Sequence, residues 1–173
     1  MNEVLNCLET RRSVRKYLPK QIADAELNAI LEAGIYAPTA MGRQSPKIVV
    51  LQKPEDVAEL ERMNAAVLGN PDSHPFYGAP TVLVVLADAK AGTAVEDGSL
   101  VLGNLMNAAH ALGVGSCWIH RAREEFASGE GKALLKRWGI EGDWVGVGHC
   151  ILGYAAGPAA PAKPRKADYI VRV

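Results

Sequence analysis

The sequence predicts an α/β or α+β domain built around a central sheet. Short apolar, β-branched runs alternate along the chain with longer segments whose apolar residues recur every three or four positions. The predicted elements follow in the order α, α, β, α, β, α, β, α, β, and a tail ends the chain. A length of 173 residues suits one domain, and no internal repeat or composition change marks a second. We therefore expect residues 1–173 to form a single domain.

Four runs of residues predict the strands of this sheet. They cover 47–51, 81–86, 115–119 and 145–152. The run at 81–86 is apolar at almost every position, which is expected of a strand that is covered on both faces. The others are short and rich in β-branched or aromatic residues, which favour strands.

Signals at the ends of the helical segments set the predicted helices. The predictions cover about 24–36, 54–68 and 95–112, then His120 to Trp138, after a short amphipathic segment that contains Val4, Leu5 and Leu8. Asp24 is a good N-cap, and Pro54 suits the first turn of a helix. Gly113 ends the longest helix as a left-handed cap.

The end of the chain predicts a strand without an evident partner. Residues 153–167 are rich in Pro and Ala, whereas 168–173 read DYIVRV. An apolar, β-branched end is unlike a disordered tail. It needs a sheet edge to join, in the same chain or on another subunit.

Composition excludes several classes of protein. Nineteen basic and nineteen acidic residues cancel, whereas a general nucleic-acid binder needs a net basic surface. Cys7, Cys117 and Cys150 are odd in number and form no CxxC pair, which fits a reducing cytoplasm. Residues 144–162 lack charged side chains, but Gly and Pro interrupt them, so we expect a buried strand and a loop. We expect a cytoplasmic protein without a nucleic-acid or membrane partner.

A cluster of basic residues follows the first amphipathic segment. Arg11, Arg12, Arg15 and Lys16 are packed with Ser13 into six positions. Guanidinium groups match phosphate oxygens bidentately, and a Ser hydroxyl adds one more donor. The cluster therefore predicts a phosphate site, and the alternative is a solvated basic turn.

A second basic cluster, Lys163, Arg165 and Lys166, lies near the other end of the chain. To serve the same phosphate, the tail has to return to the N-terminal cluster, within one chain or across a dimer. The alternative is a solvated turn of the tail.

No motif supplies a reaction centre of its own. The sequence contains neither GxGxxG after a strand nor GxxxxGK[ST], and its four histidines show no metal-ligand spacing. We expect His110 and His149 to be structural, and Cys117 to be a small buried hydrophobe. His120, at the end of a predicted strand, suits either a site or a structural role. A chain with anion-binding groups but no evident acid, base, nucleophile or metal centre indicates that a bound cofactor carries the chemistry.

Five stretches of the chain form a recognisable set when they are taken together. They are RRSVRKY at 11–17, APTAMGRQS at 37–45, YGAP at 77–80, LGVGSCWI at 112–119 and KPRK at 163–166. In this order they resemble the signatures of the FMN-dependent nitroreductase family. The resemblance covers essentially the whole chain.

The resemblance implies an FMN site that is assembled from four stretches. The phosphate and ribityl chain would be held by Arg11, Ser13 and Arg15, with Arg12 beside them, and Lys163 and Arg165 would close on the same phosphate. The partner subunit would contribute Pro38, Thr39, Ala40 and Gly42, with Gln44 nearby. The isoalloxazine ring would lie along Cys117, Trp118, Ile119 and His120, whose backbone would donate near its redox-active edge. No metal and no catalytic side chain are implied, because the flavin carries the chemistry.

The resemblance also implies an assembly and a reaction. The fold would be a central, mostly antiparallel sheet flanked by helices, in an intertwined homodimer that exchanges its C-terminal tails and holds FMN between the subunits. Hydride would pass from NADH or NADPH through flavin N5 to a nitroaromatic, a quinone or a similar small acceptor, with ping-pong kinetics. Reductive dehalogenation, reduction of an activated C=C bond and FMN storage without turnover stay open as alternatives.

The chain departs from the family pattern at three places. Gly42 stands where many members have Asn, and Ser45 and Pro46 stand where many have Pro-Trp. His120 stands where some members carry Glu. We expect His120 to alter the flavin potential and the charge preference for substrates.

Overall fold

The computed structural model describes residues 2–173, which form six α-helices and four β-strands. The helices are α1 (Glu3–Thr10), α2 (Asp24–Ile35), α3 (Pro54–Leu68), α4 (Ala94–Ala111), α5 (Ala122–Ala127) and α6 (Gly129–Arg137). The strands are β1 (Pro46–Leu51), β2 (Thr81–Asp88), β3 (Gly115–Ile119) and β4 (Trp144–Gly153). None of the helices in this described part is both long and apolar enough to cross a bilayer.

The strands form one sheet in the order β1-β2-β4-β3, and each neighbouring pair is antiparallel. The register places Ile48 opposite Val85, and Ile119 opposite His149. This confirms the α+β alternative and the mostly antiparallel sheet that the resemblance implies. The two edge positions belong to β1 and β3.

Helices cover both faces of the sheet, which explains the apolar composition of its central strand. Every residue of β2 from 81 to 87 is buried. One face packs against α3, α5 and α6 through side chains such as Leu60, Phe126 and Leu134. The other face packs against α2 and α4 through Ile30 and Leu102, among others. A strand that is covered on both faces takes mainly apolar side chains, as predicted for 81–86, and Thr81 at its start is the buried polar exception.

Two helix predictions need correction. Asp24 is the first residue of α2, and the N-cap is Ala23, whose backbone N–H donates to the Glu26 carboxylate at 2.9 Å. Glu26 is well placed for this because it is the third helical residue, as in a capping box. The single helix predicted up to Trp138 is two helices, because the backbone of Ser128 is extended. The Ser128 hydroxyl accepts a hydrogen bond from the Gly131 N–H at 3.0 Å and so begins α6.

The tail forms neither helix nor strand over residues 156–173. Among residues 2–173, the apolar end of the tail therefore does not join a sheet edge. Tyr169, Ile170 and Val171 are each at least 75% exposed. Val4, Leu5 and Leu8 of α1 are exposed as well, so two apolar segments of the isolated chain face solvent.

Two histidines have the structural roles that the sequence predicts. The Nε2 atom of half-buried His110 lies 2.9 Å from the Thr10 hydroxyl, which ties α4 to α1. His149 is fully buried, and its Nε2 lies 2.5 Å from a carboxylate oxygen of buried Glu125. The rings of Phe76 and Phe126 pack against His149, with centroid distances of 5.5 and 6.4 Å. The hydrogen bond between His149 and Glu125 links α5 to β4, and His149 lies opposite Ile119 at the end of β3.

Candidate cofactor site

The basic cluster lies in an extended segment that follows the outer edge of β3. The Val14 N–H donates to the Ser116 carbonyl at 2.9 Å, and the Leu18 N–H donates to the Tyr154 carbonyl at 2.9 Å. The buried Tyr17 hydroxyl donates to the Val14 carbonyl at 2.8 Å. The segment is therefore held against the sheet, which differs from the solvated basic turn considered as the alternative.

Arg11 and Arg12 have different hydrogen-bonding states. Nη1 of Arg12 donates to the carbonyl oxygens of Glu9 and Arg11, at 2.8 and 2.7 Å, at the end of α1. Nη1 of Arg11 is buried and has no hydrogen-bond partner among residues 2–173. A buried charged donor without an acceptor is costly, so such groups are nearly always paired. The Arg11 guanidinium therefore calls for an acceptor from outside the described chain, and an anion is the best match.

A cleft of about 480 Å³ lies between the basic segment and the start of the tail. Its walls are residues 13–16 and 156–160. Ser13 and Arg15 line it, as expected for the predicted phosphate ligands. Lys163 and Arg165 follow this wall along the chain, on the exposed part of the tail.

At the end of β3, backbone groups are available for hydrogen bonding at the outer edge, whereas most side chains are buried. The side chains of Cys117 and Ile119 are buried against α3 and α5, and half-buried Trp118 packs on the other face. Backbone groups of alternate residues in a strand point to the same edge. Since Ser116 uses its carbonyl at the outer edge, Trp118 directs its own backbone groups there too. His120, the next residue after the strand, is exposed.

The second predicted group, 38–44, lies in a loop that α4 holds through one buried carboxylate. Asp97 is 3% exposed and accepts a hydrogen bond from the Ala40 N–H at 3.0 Å and from the Ser45 hydroxyl at 2.8 Å. The Thr93 hydroxyl adds a longer contact of 3.3 Å. The hydrogen bond from Ala40 is the main reason that the pKa of Asp97 lies below its usual value. No local pattern in the sequence identifies Asp97, because its partner Ala40 is 57 positions away in the chain.

Left-handed backbone gives this loop its shape. The φ angles of Met41, Gly42 and Gln44 are 56°, 65° and 52°. The Gln44 N–H donates to the Thr39 hydroxyl at 3.0 Å, which closes the loop. Gly and Asn are the residues that adopt left-handed backbone most readily. Gly42 is therefore compatible with the left-handed backbone that this loop requires at its position.

The two predicted groups lie at opposite edges of the sheet. The loop that contains Pro38, Thr39, Ala40, Gly42 and Gln44 leads into β1, whereas the basic segment lies along β3. The order β1-β2-β4-β3 puts three strand intervals, about 14 Å, between the edge strands. One chain therefore brings the basic segment together with Ser116, near the start of β3, but keeps both away from the 38–44 loop.

An α+β chain that holds an unpaired buried guanidinium along a sheet edge has the features of an anion-binding protein. The chain belongs to the nitroreductase family, because the model of that family matches residues 8–76 and 70–154. The fold agrees with a crystal structure of a nitroreductase with bound FMN from Bacteroides fragilis. That structure is 34% identical with a TM-score of 0.91, over 100% of each chain.

Two archaeal relatives extend the comparison. An Archaeoglobus fulgidus protein is 33% identical over 160 residues, which are 89% of this chain and 86% of that protein. A Methanothermobacter thermautotrophicus protein is 30% identical over 124 residues, which are 67% of this chain and 60% of that protein. The names of both proteins propose an NADH dehydrogenase or NAD(P)H nitroreductase.

We predict that Asp97→Ala lowers the free energy of unfolding by about 1–3 kcal/mol at pH 7, because the loop donors lose a buried acceptor. The lowered pKa means that the carboxylate stabilises the fold above its unfolded pKa, and that this contribution is lost as pH falls through the folded value. The difference in free energy of unfolding between wild type and variant should therefore be smaller in acid. Urea unfolding at pH 7 and at about pH 2, below the usual range of a lowered carboxyl pKa, measures it.

Glu96→Ala is the matched control for Asp97→Ala, since it removes an exposed carboxylate from the same helical turn. We expect its effect to be within about 0.5 kcal/mol, as is usual at such surface positions. A stability loss in Asp97→Ala that is the same at both pH values would contradict the assigned role of the ionised carboxylate.

Proposed function

We propose that this protein is an FMN-dependent NAD(P)H oxidoreductase that acts on a nitroaromatic, a quinone or a similar small acceptor, with ping-pong kinetics. The observation that carries the proposal is the buried Nη1 atom of Arg11, which lacks an acceptor among the described residues. Membership of the nitroreductase family and the FMN in the Bacteroides fragilis relative support the choice of cofactor. The names of the archaeal relatives support the choice of NADH or NADPH as donor.

The basic segment suits the FMN phosphate. Arg11 supplies a guanidinium whose buried Nη1 is unpaired in the described chain, while Ser13 and Arg15 of the same segment line the cleft of about 480 Å³. A phosphate monoester carries up to two negative charges and offers several acceptors, so Arg11 and Arg15 together would balance its charge. The exposed tail can bring Lys163 and Arg165 to the same phosphate.

The outer edge of β3 suits the flavin ring. FMN held there would supply the redox chemistry that links NADH or NADPH to the small acceptor. The Trp118 backbone offers hydrogen-bonding groups at that edge, and donors near the ring stabilise its reduced form. His120 borders the exposed side, so solvent can supply protons and a small acceptor can approach.

The site would be completed by a second copy of the chain. The 38–44 loop is at the opposite sheet edge and cannot reach Arg11 of its own chain without leaving Asp97. The exposed apolar side chains of α1 and of residues 169–173 are surfaces that a homodimer would bury. We propose an intertwined homodimer in which tails are exchanged and each FMN contacts both subunits.

Anaerobic titration of the FMN-loaded protein with NADH, and separately with NADPH, tests the function. We expect at least one nucleotide to bleach the flavin absorbance band within seconds, and a nitroaromatic or quinone to restore it. Free FMN with the same nucleotide is the control for uncatalysed reduction. A retained flavin that neither nucleotide bleaches would contradict the proposed activity and favour FMN storage. Reoxidation by a halogenated aromatic or an activated alkene alone would favour the corresponding alternative reaction.

We predict that Arg11→Ala weakens FMN binding by about 1–3 kcal/mol, the usual range for a charge-assisted hydrogen bond. The apoprotein should lose little stability, since the removed group has no partner in the described chain. Flavin fluorescence titration measures the first effect, and urea unfolding measures the second. Arg62→Ala, which removes an exposed Arg paired with Glu130 on another surface, is the matched control and should leave FMN affinity unchanged. Unchanged affinity in Arg11→Ala would place the phosphate elsewhere.

Mixed dimers test whether each site uses two chains. Arg11→Ala and Asp97→Ala chains carrying different tags are co-expressed, and the mixed dimer is isolated through both tags. If the 38–44 loop acts across the interface, the mixed dimer keeps one intact site and binds one FMN tightly. The inverse control pairs a chain carrying both substitutions with a wild-type chain, which should leave no intact site. Tight binding in the control alone would show that each chain builds its own site.

A further inference from the structure

The connection between β3 and α5 is only two residues long, and its backbone is strained. Ile119 ends the strand and Ala122 begins the helix, so His120 and Arg121 make the whole turn. Arg121 has φ 83° and ψ −1°, a left-handed conformation that is unfavourable for a residue with a side chain. Such strain persists only where the surrounding structure holds it, and it is concentrated at functional sites.

Asn64 of α3 holds this turn from the inside of the protein. The side chain of Asn64 is fully buried. Its Nδ2 donates to the His120 carbonyl at 2.8 Å, and its Oδ1 accepts from Arg121 Nε at 3.0 Å. One amide thus binds both residues of the turn, so a buried polar side chain is committed to two adjacent positions.

This arrangement fixes the direction of one backbone donor. The C=O and N–H of a trans peptide point in opposite directions. The His120 carbonyl points inward to Asn64, so the N–H of the same peptide, which belongs to Arg121, points outward and away from α3. This donor lies just beyond the carboxyl end of β3, in the turn that follows Ile119.

We propose that Asn64 is a positioning residue that keeps the His120–Arg121 peptide in this orientation, with the Arg121 N–H directed at the flavin ring. The inference rests on the proposed function for the identity of the group outside the turn. A fixed donor next to the ring stabilises the more negative, reduced flavin relative to the oxidised one. Asn64 therefore raises the reduction potential without touching the cofactor.

Asn64→Leu tests the proposal, because it removes both hydrogen bonds at nearly constant volume and charge. We expect the ratio of affinities for reduced and oxidised FMN to fall at least tenfold, which is about 30 mV for a two-electron couple. Equilibrium titration against a redox dye measures this shift. If the variant retains FMN and its ratio of affinities for reduced and oxidised FMN stays within threefold of the wild-type ratio, the proposal is overturned. If Asn64→Leu does not fold, Asn64→Ser takes its place, since its shorter side chain cannot reach the His120 carbonyl.

A matched variant separates positioning from stability. Thr81→Val removes a buried hydroxyl that bonds Gln21 and Gln52, two strands away from β3. It should lower stability without shifting the potential. A shift in Thr81→Val equal to that in Asn64→Leu would make the effect a general result of destabilisation and overturn the proposal.

The apoprotein supplies a readout that does not depend on flavin. In a crystal structure of apo Asn64→Leu, we expect the His120 carbonyl to have turned away from α3, because no donor remains there. An unchanged peptide orientation would overturn the positioning role. Failure of wild-type protein to bind FMN would instead overturn the proposed function, and the two failures are therefore distinguishable.

Discussion

The hydrogen bond from the Val14 N–H to the Ser116 carbonyl is the interaction on which the proposed site depends. Arg11, Arg12 and Arg15 repel one another, so their side chains alone would not hold this segment in place. Backbone bonds do so instead, at Val14 and again at Leu18, and the buried Tyr17 hydroxyl closes the segment on itself. Because the backbone fixes the position, the Arg11 guanidinium is left free for an anion.

The regular elements were largely predictable because their signals are local. The apolar run of β2 and the Pro at the start of α3 each identify their element within a few residues. The break between α5 and α6 was not predictable in this way. It depends on Ser128, whose hydroxyl caps α6, and on Gly131, where any side chain would collide with the Glu125 carbonyl. Such a contact between successive helices has no pattern in the sequence.

The charged residues of the proposed site were predictable from the sequence. The buried polar residues that hold its loops in place were not. Four cations within six positions identify the basic segment directly. Asp97 and Asn64 are single polar residues in helices, and their backbone partners Ala40 and His120 are 57 and 56 positions away. The separation of the 38–44 loop from Arg11 was also hidden, because the spatial order β1-β2-β4-β3 does not follow the chain order. Sequence periodicity identifies which face of a helix is apolar but not which loop that helix will hold.

The burial of β2 on both faces has a consequence for how such a protein can diverge. Every group assigned to ligand binding lies on an edge strand, a loop or the tail, and the interior strands β2 and β4 contribute none of them. Replacements at the periphery can therefore accumulate without eroding the free energy that the interior supplies. The Bacteroides fragilis structure retains the architecture at a TM-score of 0.91 although two thirds of its residues differ. A scaffold of this kind allows new chemical preferences to evolve while its capacity to fold is inherited unchanged.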